Sequence, residues 1–256
     1  MIGKKSRMHV RPLKTPLVNL NDSLLDLVMG ALPPLEEGTV IAITSKIVSL
    51  CQGAVLPQSE TDFASLVAQE ADACLEAPSL YPDIYLTLKD HMLLPNAGID
   101  ASNAGAFYIL YPRHAQETLV HLWHSLREAR GISKLGLIMT DSRTTPLRRG
   151  VTGVALGWCG FAPLHSYVGQ EDLMGRPLRV TQINLLDALA TTAVLVMGEA
   201  NEQTPIALIT GAPFVTFQDH PPTPEDVAAT RISLEEDLYA PLFEGARWRT
   251  REGSAY

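Results

Sequence analysis

Two kinds of hydrophobic pattern alternate along the chain. Short, continuous runs rich in β-branched residues, at residues 40–44, 135–140 and 206–210, predict buried strands. Residues 116–130 and 182–197 form longer segments, in which apolar side chains recur every three or four positions or fill almost every position. These segments predict helices. Strands and helices that alternate in this way are typical of a mixed α/β (α+β) fold.

The domain organisation predicted from the sequence is simple. Prolines interrupt the pattern at residues 33–34 and 221–224, but no repeat or low-complexity segment divides the chain. We therefore expect a single unit over residues 1–245. Residues 246–256 include Arg247, Arg249 and Arg251 and predict a flexible, solvated tail.

Composition narrows the class of protein. Of the 256 residues, 46% are hydrophobic and 19% are charged, as in globular proteins. The net charge of −8 argues against nucleic-acid binding, because phosphate neutralisation requires a basic face. The three cysteines, Cys51, Cys74 and Cys159, are widely spaced, which fits a reducing cytoplasm better than a disulfide framework.

Residues 185–197 are too few to span a bilayer, and the N-terminus lacks the pattern of a secretory signal. We expect a cytoplasmic protein that binds neither nucleic acid nor a membrane.

Four common motifs are absent from the sequence. These are GxxxxGK[ST], GxGxxG, HExxH and GxSxG, so the pattern predicts neither a P-loop nor a Rossmann fold.

Three acidic positions occur beside other short oxygen donors. They are Asp100 with Ser102 and Asn103, Asp141 with Ser142, and Glu199 after Gly198. The second position comes at the carboxyl end of a predicted strand, where open α/β sheets bind ligands. Residue type alone leaves two interpretations of these positions. They are helix caps, turns or solvated surface residues, or they are oxygen ligands of a divalent cation.

Basic and glycine-rich sequence follows the second acidic position. It contains the arginines Arg143, Arg148 and Arg149 and the glycines Gly150, Gly153, Gly157 and Gly160. Guanidinium groups bind phosphate in a bidentate fork, and glycines let backbone amides approach an anion. With the carboxylates, this composition indicates a metal–phosphate site. The alternative for the glycines is tight turns and close packing.

Five segments carry a resemblance to a known family. They are IAITSKIVSLCQG, LLPNAGIDASNA, MTDSRTTPLRRGVTGVALG, VGQEDLMGRPLRVT and LVMGEANEQTPIALITG, in this order. Through them the chain resembles the deazaflavin coenzyme F-420 gamma-glutamyl ligases, as a divergent member, up to about residue 240. The resemblance implies a homodimer with a two-lobed mixed α/β fold specific to the family. It also implies an enzyme that uses GTP and Mn²⁺ or Mg²⁺, two ions per site, to join the amine of L-glutamate to the carboxylate of an acceptor.

The resemblance also implies roles for individual residues. Asp100 and Asp141 would hold one metal ion, and Ser142 and Glu199 would belong to the second. The nucleotide would contact Thr15, Pro16, Leu17, Val18, Ser45, Lys46, Asn103, Met197, Gly198, Ala200 and Asn201. The arginines Arg143, Arg148 and Arg149 would be catalytic residues that neutralise phosphate charge. The acceptor carboxylate would attack the γ-phosphate of GTP, and the amine of glutamate would then attack the resulting acyl phosphate.

The sequence departs from the family at several ligand-facing positions. Leu50 stands in place of a lysine, Gln52 in place of a glutamate, Thr144-Thr145 in place of Gly-Arg, and Thr210-Gly211 in place of Arg-Gly. Three positively charged side chains and one carboxylate are therefore missing from these positions. Arg143 is a candidate replacement for one of the positive charges. A pterin such as folate, or another small carboxylic acid, is therefore an alternative acceptor. Two further alternatives are a repurposed, non-catalytic protein that binds a metal or small carboxylate, and a metal-dependent phosphatase or nucleotidase.

Overall fold

The computed structural model describes residues 7–76 and 81–251 of the chain. The strands, in chain order, are β1 (His9–Leu13), β2 (Thr39–Thr44), β3 (Val55–Pro57), β4 (Ala73–Leu75), β5 (Leu86–Lys89), β6 (Met92–Pro95), β7 (Phe107–Ile109), β8 (Leu135–Thr144), β9 (Val151–Cys159), β10 (Leu164–Ser166), β11 (Gln182–Asn184), β12 (Ile206–Thr210) and β13 (Trp248–Thr250). The α-helices are α1 (Leu24–Ala31), α2 (Ser45–Cys51), α3 (Phe63–Glu70), α4 (Ala115–Arg130), α5 (Leu185–Met197), α6 (Pro224–Ala229) and α7 (Ala240–Glu244). The predicted mixed α/β class is confirmed.

A five-stranded sheet with the order β1-β12-β2-β8-β9 organises the fold. Strands β2 and β8 are parallel, with Thr44 opposite Thr140, and the other neighbours are antiparallel. Strand β12 begins beside the end of β2, with Ile206 opposite Ile43. The carboxyl end of β2, the middle of β8 and the start of β12 therefore meet at one edge of the sheet. The three strands predicted from the sequence are all present.

Helices cover both faces of this sheet. On one face, α5 packs Leu189 and its neighbours against Val40 and other buried residues of the sheet. On the other face, α1, α2 and α4 pack together, and the fully buried Trp123 donates from Nε1 to the carbonyl oxygen of Leu135 at 2.7 Å. Helix α4 ends at Arg130, the last residue predicted for it, and Gly131, which has left-handed backbone, caps it. Each large apolar side chain buried in this way contributes about 1.5–3 kcal/mol to the stability of the fold. This packing fixes the position of the sheet and of the residues at its edge.

The glycines that follow β8 serve close packing. A Cβ on Gly153 would lie 2.5 Å from the carbonyl oxygen of Ala190 on α5, and one on Gly157 would lie 3.1 Å from side chains of α4. Gly160 has a φ of 81°, and a Cβ there would collide with the carbonyl oxygen of Leu135. Of the two interpretations open for these three glycines, close packing accounts for them.

Three elements differ from the predictions. Strand β8 continues past residue 140 to Thr144 as a hairpin with β9. The second predicted helix begins at Leu185 rather than at residue 182, because the side chain of Asn184 caps it by accepting from the amide of Asp187 at 3.1 Å. In the segment predicted as a solvated tail, Trp248–Thr250 forms β13, which pairs with β4. Residues 252–256 lie outside the described residues.

Two further properties concern the helices and the thiols. Within residues 7–76 and 81–251, no helix combines the length and the apolar character needed to cross a membrane. Cys51, Cys74 and Cys159 are free thiols. Burial raises the pKa of Cys51 to about 11 and that of Cys159 to about 12, so both are protonated and weakly nucleophilic at neutral pH.

Candidate active site

A cavity of about 470 Å³ lies at the sheet edge where β2, β8 and β12 meet. Residues 15–18 after β1, the start of α2, and the loop between α5 and β12 form most of its wall. The loop after β6 adds Asp100 and Asn103, and β8 adds Asp141 and Ser142. Segments far apart in the sequence therefore converge on a concave site of a size typical for small-molecule ligands.

A change in strand pairing directs β8 into the cavity. As far as Thr140, β8 pairs with both β2 and β9, and beyond that residue it pairs with β9. The register with β9 shifts between Met139 and Thr140, which leaves Leu156 as the extra residue of a β-bulge. Adjacent residues of a regular strand point to opposite faces, whereas bulges re-aim side chains. Asp141 and Ser142 directly follow the bulge, and both line the cavity.

A tight turn positions Asp100. Residues 96–98 have φ values of 55°, 54° and 74°, all in the left-handed region. The ring of Tyr111 lies 2.9 Å from where a Cβ of Gly98 would be, so this position requires glycine. Asp100 and Ile109 then exchange backbone hydrogen bonds of 2.9 and 2.7 Å, which fix the backbone of Asp100 at the cavity wall.

Lys46, at the start of α2, is the partner of Asp100. Its Nζ lies 2.6 Å from Oδ2 of Asp100 and donates to Oγ of Ser102 at 2.9 Å. The other carboxylate oxygen of Asp100 accepts from the amide of Ser102 at 2.6 Å. Burial opposes ionisation of Asp100, but Lys46 and Ser102 outweigh it and hold its pKa below the ordinary value. Asp100 is therefore ionised at neutral pH.

Asp141 and Glu199 lie in a different electrostatic environment. Burial raises the pKa of Asp141 to about 6. The amide of Ser142 opposes this shift by donating to Oδ1 at 2.8 Å, whereas the carboxylate of Asp100 strengthens it. Burial also raises the pKa of Glu199, which accepts a hydrogen bond from the hydroxyl of Ser142 and is repelled by Asp100. The cavity thus brings the carboxyl groups of Asp141 and Glu199 within electrostatic reach of Asp100, and Glu202 adds a fourth carboxyl group to its wall.

The chemistry of these donors fits a divalent cation. The carboxylates of Asp100, Asp141 and Glu199 and the hydroxyl of Ser142 offer only oxygen, the ligand that Mg²⁺ and Mn²⁺ prefer. A cation would offset the cost of burying the carboxylates of Asp141 and Glu199, which is the main cause of their raised pKa values, and their repulsion by Asp100. In the described part of the chain, however, no three His, Cys, Asp or Glu side chains form a preassembled metal-ligand cluster. The donors therefore fit by type, and Lys46 is the partner of Asp100 in their present arrangement.

The residues expected to bind the nucleotide lie together. All of them line the cavity except Ser45, which is buried behind its wall. Side-chain hydrogen bonds join the segments of the wall. Nε2 of Gln203 donates to the carbonyl oxygen of Thr15 at 2.9 Å, and Nδ2 of Asn103 donates to that of Ala200 at 2.9 Å. The loop after α5 is thereby tied both to the segment after β1 and to the Asp100 loop.

The three predicted catalytic arginines do not line this cavity. Arg148 and Arg149 are exposed on the turn between β8 and β9. Arg143 lines a neighbouring, larger cavity, where its Nη2 lies 2.9 Å from Oδ2 of Asp187. The reason is geometric, because the β8–β9 hairpin carries its turn beyond the end of β2. Among the described residues that line the smaller cavity, Lys46 is the only lysine or arginine.

Apolar residues also line the cavity. Ile47 and Leu50 are three positions apart on α2, and Val194 lies three positions before Met197 on α5. Ile47 and Val194 were not singled out from the sequence, although helical spacing from a predicted site residue is a usable signal. Leu50 also lines the cavity, at the position where the resemblance predicts a lysine.

Comparisons with known proteins agree on one family. A family model described as F420-0:Gamma-glutamyl ligase matches residues 12–211. The coenzyme F420:L-glutamate ligase of Methanopyrus kandleri is 36% identical over 210 residues, which cover 76% of this chain and 82% of the relative. The protein of the same name from Methanococcus maripaludis strain C6 is 30% identical over 234 residues, which cover 86% and 94%. That of Halobacterium salinarum strain R1 is 30% identical over 219 residues, which cover 76% and 83%.

Proposed function

Because the chain belongs to the F420-0:gamma-glutamyl ligase family, we propose that it joins the amine of L-glutamate to an acceptor carboxylate, with GTP as the energy source and a divalent cation. The observation that carries the proposal is the convergence of Asp100, Asp141 and Glu199 with Lys46 in one cavity of about 470 Å³. Each of these side chains comes from a different segment of the chain. A cavity that collects carboxylates and a lysine in this way suits a metal-bound polyphosphate.

The proposed reaction has two steps. An oxygen of the acceptor carboxylate attacks the γ-phosphorus of GTP and displaces GDP, which gives an acyl phosphate. The amine of L-glutamate then attacks the acyl carbon, releases inorganic phosphate and loses a proton, which leaves an amide. Both steps depend on positioning and on stabilisation of negative charge more than on covalent chemistry by the protein.

The residues of the cavity have separate roles in this reaction. Nζ of Lys46 offers a positive charge to phosphate oxygens, and Asn103 keeps the loop after α5 closed over the site. Asp100, Asp141, Ser142 and Glu199 would hold Mn²⁺ or Mg²⁺, which supplies neutralisation of phosphate charge. The proposal extends to the properties implied by the resemblance, namely two metal ions per site, a two-lobed homodimer and a cytoplasmic location.

The test is a coupled assay with the full chain. GDP formation is measured with GTP, Mn²⁺, L-glutamate and coenzyme F420, and mass spectrometry follows the addition of a glutamyl unit. Asp141→Asn should abolish both signals. Asp83→Asn is the matched control, since Asp83 is exposed and lines neither cavity.

The reactant dependence separates the alternatives. GDP formation that requires both L-glutamate and folic acid, rather than coenzyme F420, would keep the ligase and change the acceptor. Phosphate release that is independent of L-glutamate would instead indicate a phosphatase. Absence of GDP formation, together with a thermal shift caused by a small carboxylate, would favour the repurposed protein.

A further inference from the structure

A second and larger cavity, of about 840 Å³, lies on the other side of β8. Its wall comes from the β8–β9 hairpin, the starts of α4 and α5, the β5–β6 hairpin and α6. Strand β8 therefore contributes to both cavities, with Asp141 in the smaller and Arg143 in the larger. Two residues along a strand span about 7 Å, so the two side chains start from neighbouring points of the backbone.

Arg143 is held in the larger cavity by a defined set of contacts. Its Nη2 lies 2.9 Å from Oδ2 of Asp187, which also accepts from Nδ2 of Asn184 at 3.1 Å. The other oxygen of Asp187 accepts from the amide of Ala155 at 3.1 Å. A guanidinium group carries five N–H donors, so this pair leaves donors for a ligand. The side chain of Arg143 is 36% exposed, which makes those donors accessible from the cavity.

Four of the five acidic side chains that line the larger cavity are paired with a lysine or an arginine. Besides Asp187, these are Asp90 with Arg231 at 2.8 Å, Glu70 with Lys89 at 3.7 Å and Asp72 with Arg251 at 3.1 Å, whereas the exposed Glu117 lies 3.6 Å from His114. An anion that enters the cavity therefore does not face unpaired carboxylates at these points. The β9 side of the cavity is apolar, with Val154, Leu156 and Trp158 in its wall. Such a cavity suits a ligand with an apolar body and an anionic group.

We propose that the larger cavity binds the acceptor acid of the ligation and that Arg143, positioned by Asp187, holds an anionic group of that acid. This inference rests on the proposed function, because the acceptor acid is a substrate of the proposed ligation. The larger cavity would be its binding site, beside the smaller cavity proposed for the nucleotide. Arg143 acts here as a binding residue and Asp187 as a positioning residue. Arg143 is the arginine of the β8–β9 hairpin that lines this cavity, whereas Arg148 and Arg149 on the same hairpin do not line it.

The test measures binding and turnover separately. Calorimetry with coenzyme F420 and with folic acid, each without nucleotide or divalent cation, reports on the larger cavity alone. Arg143→Gln should weaken binding of the acid by about ten- to a hundredfold, the effect of losing a charge-assisted hydrogen bond. Its affinity for GTP with Mn²⁺ should stay within about twofold of the unmodified protein. In the turnover assay, the variant should raise KM for the acceptor and leave KM for GTP unchanged.

Matched variants identify the cause of the effect. Arg11→Gln removes an exposed arginine on β1 that lines neither cavity and should change neither affinity. Arg143→Lys keeps the charge without the planar fork and should restore part of the affinity. The double variant Arg143→Gln with Asp187→Asn leaves no unpaired carboxylate, and it should show the same loss if the single variant unfolds.

The outcomes distinguish the two proposals. Acid binding that Arg143→Gln weakens, without any GDP formation, would support the cavity assignment and refute the ligase. Ligation in which Arg143→Gln leaves KM for the acceptor unchanged would refute the cavity assignment and keep the ligase. Failure of both acids to bind the unmodified chain, or an equal loss of GTP affinity in Arg143→Gln, would also overturn the assignment.

Discussion

Replacement of Asp141 by Asn tests the electrostatics of the smaller cavity through the stability of the fold. Asn has nearly the same volume, and its Oδ1 can still accept the hydrogen bond from the Ser142 amide. The substitution therefore removes the ionisable group and little else. In the absence of divalent cations, we expect the variant to be more stable than the unmodified chain at pH 8 and equally stable at pH 4.

The sign follows from the direction of the pKa shift. The folded-state pKa of Asp141 is raised from 3.8 to about 6, so the folded state binds the proton more tightly than the unfolded state. The contribution of Asp141 is therefore most favourable below pH 3.8 and is lost as the pH rises to about 6. A shift of about two units corresponds to at most about 3 kcal/mol. Because the side chain is only partly buried, solvent screening reduces the expected effect to about 1–3 kcal/mol.

Denaturant unfolding at both pH values, with EDTA, measures this difference. Asp83→Asn should change stability at neither pH, because its carboxyl group is exposed. Mn²⁺ should remove most or all of this difference at pH 8, since a ligand at a hundred times its Kd stabilises the folded state by about 2.7 kcal/mol. Only the unmodified chain should gain this amount. An Asn variant that is less stable at pH 8 with EDTA, or equally stabilised by Mn²⁺, would refute the electrostatic reasoning.

Three further predictions concern the nucleotide, the packing and the assembly. Leu50→Lys should raise the affinity for GTP with Mn²⁺ by about ten- to a hundredfold in calorimetry, because it returns a charge to the cavity wall, and an unchanged affinity would indicate a cavity adapted to another ligand. Gly153→Ala should destabilise the fold by about 1–3 kcal/mol in denaturant unfolding, since its Cβ would meet the backbone of Ala190. Gly30→Ala, in open space on α1, should instead stabilise it by about 0.5–1 kcal/mol. Light scattering should give twice the chain mass of 27.9 kDa, and a mass near 27.9 kDa would contradict the homodimer.

The three inner strands of the central sheet, β12, β2 and β8, could be predicted from the sequence because they are buried on both sides, whereas the outer strands β1 and β9 were not predicted. Residues 40–44 are continuously apolar up to Thr44, and helix α4 has regular spacing with a glycine at its end. The short strands of the smaller sheets were not predictable in this way. Ala73–Leu75 and Trp248–Thr250 have three residues each, too few to show a period of two, and their pairing joins positions far apart in the chain.

Residue types alone predict only part of the candidate site. Asp100, Asp141 and Glu199 each resemble a cap, a turn or a surface residue when taken singly, and the resemblance to a family was needed to group them. The position of Arg143 could not be predicted, because it depends on where β8 leaves β2 and on the β-bulge at Leu156. Both features arise from strand pairing, which local sequence does not encode.

Under the proposed function, the charges of the smaller cavity predict that nucleotide and divalent cation bind cooperatively. Its wall combines four carboxyl groups, including that of Glu202, with a single lysine, and Lys46 already neutralises Asp100. A polyphosphate alone would add negative charge beside Asp141 and Glu199, whose pKa values are already raised, and a divalent cation alone would lack the phosphate oxygens that complete its ligands. Each ligand therefore improves the site for the other, and linkage requires that the two affinities rise by the same factor. The loss of the family's lysine at Leu50 increases this dependence, because less of the phosphate charge is balanced by the protein itself.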